Sequence, residues 1–89
     1  MSDAEVVRER SYRGISIRLA REYLVKLGGD AVGDDRVEAD AWSASLSAEQ
    51  VSIGPTLTLT EVTVVFEGEA GTLDPLIERF SQKAMRAGG

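Results

Sequence analysis

Residues 56–70 read TLTLTEVTVVFEGEA, the strongest strand signal in the chain. Leu57 and Leu59 alternate with threonines, and Val62, Val64 and Phe66 then carry the alternation in the opposite phase. A bulge, or two short strands meeting near Thr60–Glu61, would reconcile the two phases. Val64, Val65 and Phe66 are consecutive, so both faces of the strand are apolar there. With Val62, Val64 and Phe66 beneath helices, Val65, Leu57 and Leu59 face the other way. A sheet covered on one side then exposes an apolar patch on the other. These three residues mark the candidate surface for a homodimer or a protein partner.

Downstream, residues 72–89 read TLDPLIERFSQKAMRAGG and predict a helix. Asp74-Pro75 supplies a capping acid followed by proline in the first turn. Leu73, Ile77, Phe80, Ala84 and Ala87 form its apolar stripe, with Leu76 and Met85 beside it. Lys83 and Arg86 complement the negative end of the helix dipole.

Upstream, residues 30–54 hold several strand signals. Gly33-Asp34-Asp35 is a turn between two of them. Val37 and Ala39 alternate in one phase, and Trp42, Ala44 and Leu46 in the other. The slip near Ala41 is a bulge or a turn. Val51 and Ile53 extend this strand or belong to the next, and Gly54-Pro55 is a turn. Residues 16–29, SIRLAREYLVKLGG, predict a helix with Ile17, Ala20, Leu24 and Leu27 on one stripe. Ser16 caps its start, Glu22 and Lys26 pair at i,i+4, and Gly28-Gly29 ends it. RERSYRGIS, residues 8–16, holds a short first strand, and Val6 and Val7 are candidates to begin it. The expected organisation is a flexible arm over residues 1–9, one domain over 10–87 and a Gly88-Gly89 tail. Two amphipathic helices on one face of an antiparallel sheet is the economical α+β solution.

Composition narrows the chemistry. The chain has 89 residues, enough for one thin core. It contains no cysteine and no histidine, which removes disulfides, thiolate nucleophiles, imidazole bases and most zinc chemistry. No catalytic residue, cofactor or metal site is expected, and the chain reads as a non-enzyme. The net charge is −5, from 15 acids against 10 bases, with only Lys26 and Lys83 as lysines. Such a surface suits a high-salt cytoplasm or is simply solubilising charge. It disfavours nucleic acid, which wants a basic stripe. No apolar run approaches a membrane span and the start is not a signal peptide, so a cytoplasmic location is expected.

ISIRLAREYLVKLGG, the strands holding VEADAW, and LTEVTVVFEG followed by LDPLIERFSQKA together resemble the C-terminal domain of MoaD-related proteins. These are relatives of the sulfur-carrier small subunit of molybdopterin synthase. The similarity covers roughly residues 10–87 and rests on caps, stripes and a tryptophan rather than on catalytic signatures. It implies a TBP-like fold: a curved antiparallel sheet with two helices in β-α-β-β-β-β-α order. A ferredoxin-like two-layer sandwich is the alternative. It also implies a link to molybdenum-cofactor biosynthesis or sulfur transfer. The resemblance implies a ubiquitin-like carrier domain preceding this one in those proteins, and none is expected within these 89 residues.

Several features have both a sharp and a plain reading. Gly88-Gly89 could be a modifier or sulfur-carrier tail activated by an adenylating enzyme, or a helix cap. A carrier's tail leaves its domain from a strand, whereas this one leaves a helix, which favours the cap. Asp30, Asp34, Asp35, Glu38 and Asp40 lack EF-hand spacing and read as turn and surface. Trp42 shares a strand phase with Ala44 and Leu46 and reads as core. Arg8, Arg10, Arg13, Arg18 and Arg21 are interspersed with Glu5, Glu9 and Glu22, which neutralise them. The leading function is a non-enzymatic interaction module docking through the open sheet face. The alternatives are a modifier acting through Gly89 and, last, a carboxylate-based enzyme.

Overall fold

The computed structural model describes residues 5–88, with side chains through Arg86. The elements are β1 (Glu5–Arg13), α1 (Ile17–Lys26), β2 (Asp30–Ala31), β3 (Arg36–Glu38), β4 (Trp42–Ile53), β5 (Leu57–Glu69) and α2 (Ala70–Gly88). The order is the expected β-α-β-β-β-β-α, not the β-α-β-β-α-β of the ferredoxin-like alternative. The five strands form one sheet in the order β1-β5-β4-β3-β2, and every pairing is antiparallel.

The β4–β5 hairpin is the long axis of the sheet. Its register runs without a break from Trp42↔Gly68 to Ile53↔Leu57. The bulge expected near Thr60–Glu61 is absent. The apolar pattern changes phase because the hydrophobic side of the ribbon changes face. Val62, Val64 and Phe66 point at the helices and are fully buried. Leu57 and Leu59, an odd number of residues away, point to the opposite face.

β1 begins earlier than expected. Glu5 to Glu9 lie in the strand, paired with Glu69 to Val65, so the proposed arm over residues 1–9 is corrected from Glu5 onward. Val6 supplies the reason: it sits opposite Gly68 on the helix side and packs against the core. Charged neighbours hide this strand from a periodicity argument. Residues 1–4 lie outside the described residues.

α1 is closed at both ends. The Ser16 hydroxyl accepts from the Leu19 amide at 3.1 Å. Leu27 is the C-cap, and Gly28 follows at φ 114°. The Gly28 amide donates to the Val25 carbonyl at 3.0 Å and the Gly29 amide to the Leu24 carbonyl at 3.1 Å. That pair of bonds is a Schellman motif, and it satisfies carbonyls the helix would otherwise leave open. Gly29 also allows close packing. A Cβ there would lie 2.7 Å from the Trp42 ring and collide with Val37 Cγ1. The expected Glu22–Lys26 pair is replaced by Arg18–Glu22, at 3.6 Å.

α2 also differs at its start. It begins at Ala70, directly after β5, so Asp74-Pro75 lies inside the helix rather than at its cap. Gly68 makes the junction possible: a Cβ there would stand 2.7 Å from the Ala41 carbonyl oxygen. Proline at position 75 has no amide to offer the Gly71 carbonyl, one bond lost in an early turn.

Both helices cover the same face. Ala20 and Leu24 of α1 join Leu73, Leu76, Ile77, Phe80 and Ala84 of α2 over Val37, Trp42, Ala44, Leu46, Val62, Val64 and Phe66 of the sheet. Phe80 is the hub. It meets Tyr12, Phe66 and Tyr23 edge-on, at centroid distances of 5.0, 5.9 and 6.2 Å. Among the described residues no polar or charged side chain is buried. Met85, read from sequence as flanking the stripe, is 73% exposed.

Phe80→Ala should therefore lower the unfolding free energy by about 3–5 kcal/mol in urea titration. Met85→Ala, on the same helix, should stay within about 0.5 kcal/mol of the parent.

Candidate functional site

The unbroken registers assign every strand residue to a face. On the helix-free side one rung joins Glu9, Val65, Ser45 and Arg36 across four strands. The next joins Val7, Glu67, Ser43, Glu38 and Asp30. On the other side of Val65 come Ser11–Thr63–Ser47, then Arg13–Glu61–Glu49, and beyond β1 the pairs Leu59–Val51 and Leu57–Ile53.

This face has three chemical zones along its length. At one end Glu5, Glu38, Asp40, Glu67 and Glu69 line a cleft of about 420 Å³ together with Trp42 and Ser43. The middle is a belt of hydroxyls. Ser11 and Thr63 share a hydrogen bond of 3.0 Å, and Arg36 Nη1 donates to the Ser45 hydroxyl at 2.8 Å. Arg36 Nε also donates to Glu38 at 2.8 Å. That bond, more than the surrounding charges, holds the guanidinium above its ordinary pKa. The far end is the apolar tip of the β4–β5 ribbon.

The residues singled out from sequence fall as follows. Leu57, Leu59 and Val65 all lie on the helix-free face. They do not form one patch. Thr63 and Glu61 separate Val65 from Leu59, and Val65 is half-buried between Glu9 and Ser45. Leu57 is 51% exposed at the tip, beside Ile53 at 36%. Ile53 and Val51 complete the tip and were read from sequence only as strand. Their cross-strand partners become visible once the turn at Gly54-Pro55 fixes the register.

Trp42 is in the core, over Gly29. The five acidic residues between Asp30 and Asp40 are not brought together. Asp34 pairs with Arg21 at 3.5 Å, and Glu38 with Arg36. Among the described residues no three acidic side chains converge as a metal ion would need. The N-terminal arginines are dispersed: Arg8 meets Asp74, Arg13 meets Glu61 and Arg18 meets Glu22. Gly88 is the last residue of α2, and Gly89 lies outside the described residues. Among the described residues no helix is long and apolar enough to cross a membrane.

These features define a class: small α+β domains with an open antiparallel sheet, helices on one side and a bare second side. Within that class the chain belongs to the archaeal MoaD-like protein family, whose model matches residues 8–89. The match agrees with the resemblance carried by the α1, VEADAW and α2 segments. No curated protein matches the chain.

Behind the sheet, the Tyr12 hydroxyl bonds the Ser81 hydroxyl at 2.8 Å and ties β1 to α2. Burial raises the Tyr12 pKa above its ordinary 10.0, partly offset by the Ser81 bond and the Arg10 charge. The unfolded chain then loses this proton first as pH rises. The stabilisation from neutral Tyr12 is complete below about pH 10 and is lost as pH climbs through the folded value. Thermal melts should fall more steeply above pH 10 in the parent than in Tyr12→Phe. A tyrosinate absorbance titration should show a phase above pH 10 that Tyr12→Phe removes.

Proposed function

We propose that the protein is a non-enzymatic interaction module of molybdenum-cofactor or sulfur-transfer metabolism, acting in the cytoplasm by docking through its helix-free sheet face. The observation that carries this reading is the division of the sheet. One face holds the whole core, and the other presents four strands of serine, threonine and charged side chains to solvent. Membership of the archaeal MoaD-like family supports the metabolic setting. The absence of histidine and cysteine from the sequence supports a binding role over an acid–base one. A hydroxyl belt with acid on one side and aliphatic residues on the other suits recognition, because it offers adaptable hydrogen bonds beside an apolar anchor.

A second reading has its own observation, the terminal Gly88-Gly89. Activation of the Gly89 carboxylate by an adenylating enzyme would make the chain a modifier or sulfur carrier. The backbone reaches Gly88 as helix rather than as strand, which weighs toward the docking reading.

Affinity capture from native cytoplasm at native salt separates the two. Ser45→Arg and Thr63→Arg, both on the helix-free face, should each lose the captured partner, while Lys83→Glu on α2 should retain it. Deleting Gly88 and Gly89 should leave the partner unchanged, and intact-mass analysis should find no thiocarboxylate or conjugate. Loss of the partner in the deletion alone would favour the carrier reading instead.

A further inference from the structure

The β4–β5 ribbon extends beyond the rest of the sheet. β1 stops pairing at Arg13↔Glu61, with one further bond from the Gly14 amide to the Thr60 carbonyl at 3.1 Å. β3 covers β4 only to Ser45, and the Leu46 amide goes to Asp35. Beyond that bond, from residue 50 to residue 59, the two strands stand alone. Their helix-free face carries Val51, Ile53, Leu57 and Leu59, and their other face carries Gln50, Ser52, Thr58 and Thr60. Gln50 and Thr60 hydrogen-bond across that polar face at 3.2 Å.

Residues 50–60 are the longest run without a charge in a chain of net charge −5. The strands on either side of the turn contain no lysine, bulge or proline, the usual devices that keep an apolar ribbon from sticking to others. An apolar ribbon left unguarded needs a cover, and its chemistry selects one. A charged partner finds no complementary charge on it. An anionic lipid surface meets the Glu49–Glu61 rung at its base. A second copy offers the identical uncharged aliphatic face. Two ribbons laid face to face about a two-fold axis also place the acidic clefts at opposite extremes, beyond the range of screened repulsion.

We infer that the ribbon tip is a homodimer contact, with Val51, Ile53, Leu57 and Leu59 of two copies packed against each other end to end. This rests on the reading of the helix-free face as a docking surface and gives its apolar end an occupant. The dimer is weak and reversible. A stable interface takes roughly 20–30 residues a side, and the ribbon supplies less than half of that. Salt strengthens it, because screening relieves the repulsion between the Glu49–Glu61 rungs that flank the contact in both copies.

The test is sedimentation equilibrium with small-angle scattering on the full chain, over a concentration series at low and high salt. One molecule spans 53 Å, so a tip-to-tip dimer overlapping by about 15 Å has a maximum dimension of about 90 Å. Association should tighten with salt. Leu57→Glu and Ile53→Glu should each weaken it roughly tenfold or more. Thr58→Glu, on the polar side of the ribbon, should weaken it much less. All three positions lie outside the core, and matching thermal unfolding midpoints establish that each variant folds. A chain that stays monomeric at every concentration and salt overturns the inference while leaving the capture result for the rest of the face standing. A dimer of about 55 Å that Leu57→Glu does not disturb also overturns it, and places self-association on the body of the sheet.

Discussion

The β4–β5 ladder is the constraint on which everything else depends. Its rungs run from Trp42↔Gly68 to Ile53↔Leu57 without a bulge, so one register assigns both faces along the whole molecule. β1 copies that register on one edge and β3 on the other. A slip of one residue would send Val62, Val64 and Phe66 to water and bring Glu61, Thr63 and Glu67 under the helices. The register is held because that exchange would strand carboxylates in a core with no buried polar partner for them.

Much of this was legible in the sequence wherever local chemistry and tertiary packing agree. Ser16, Gly28 and Gly29 mark α1 because its ends must satisfy their own amides and carbonyls. The turns at Gly33 and Gly54 are marked by glycines that adopt φ 79°. Reading failed where a long-range contact decides the local structure. β1 carries charge at Glu5, Arg8, Glu9, Arg10 and Arg13, and only its pairing with β5 makes it a strand. α2 starts before its apparent cap at Asp74-Pro75, because the chain turns at Gly68 straight from ladder into helix. The change of phase in β5 was visible, but its cause was not. A bulge and a change of buried side leave the same trace in the sequence, and only the register distinguishes them.

The candidate surface was half legible for the same reason. Alternation places Leu57, Leu59 and Val65 on one side. Cross-strand neighbours, which alternation cannot supply, divide that side into an acidic cleft, a hydroxyl belt and an aliphatic tip. Val65 is set among polar rungs, while Leu57 and Leu59 gain Val51 and Ile53 as companions. The proposed docking surface varies in chemistry along its length, and a surface of that kind leaves no short motif.

The uneven placement of charge has a consequence for how the molecule moves toward others. The acidic cleft and the uncharged ribbon lie at opposite ends of a 53 Å body. Negative charge is therefore gathered at the cleft end and absent from the ribbon tip. In the field of a basic surface it turns before it touches, cleft first, with the ribbon trailing. Added salt shortens the reach of that torque and lets encounters occur in any orientation. The ionic strength of the surrounding solution thus sets how strongly arrival by the cleft end is favoured.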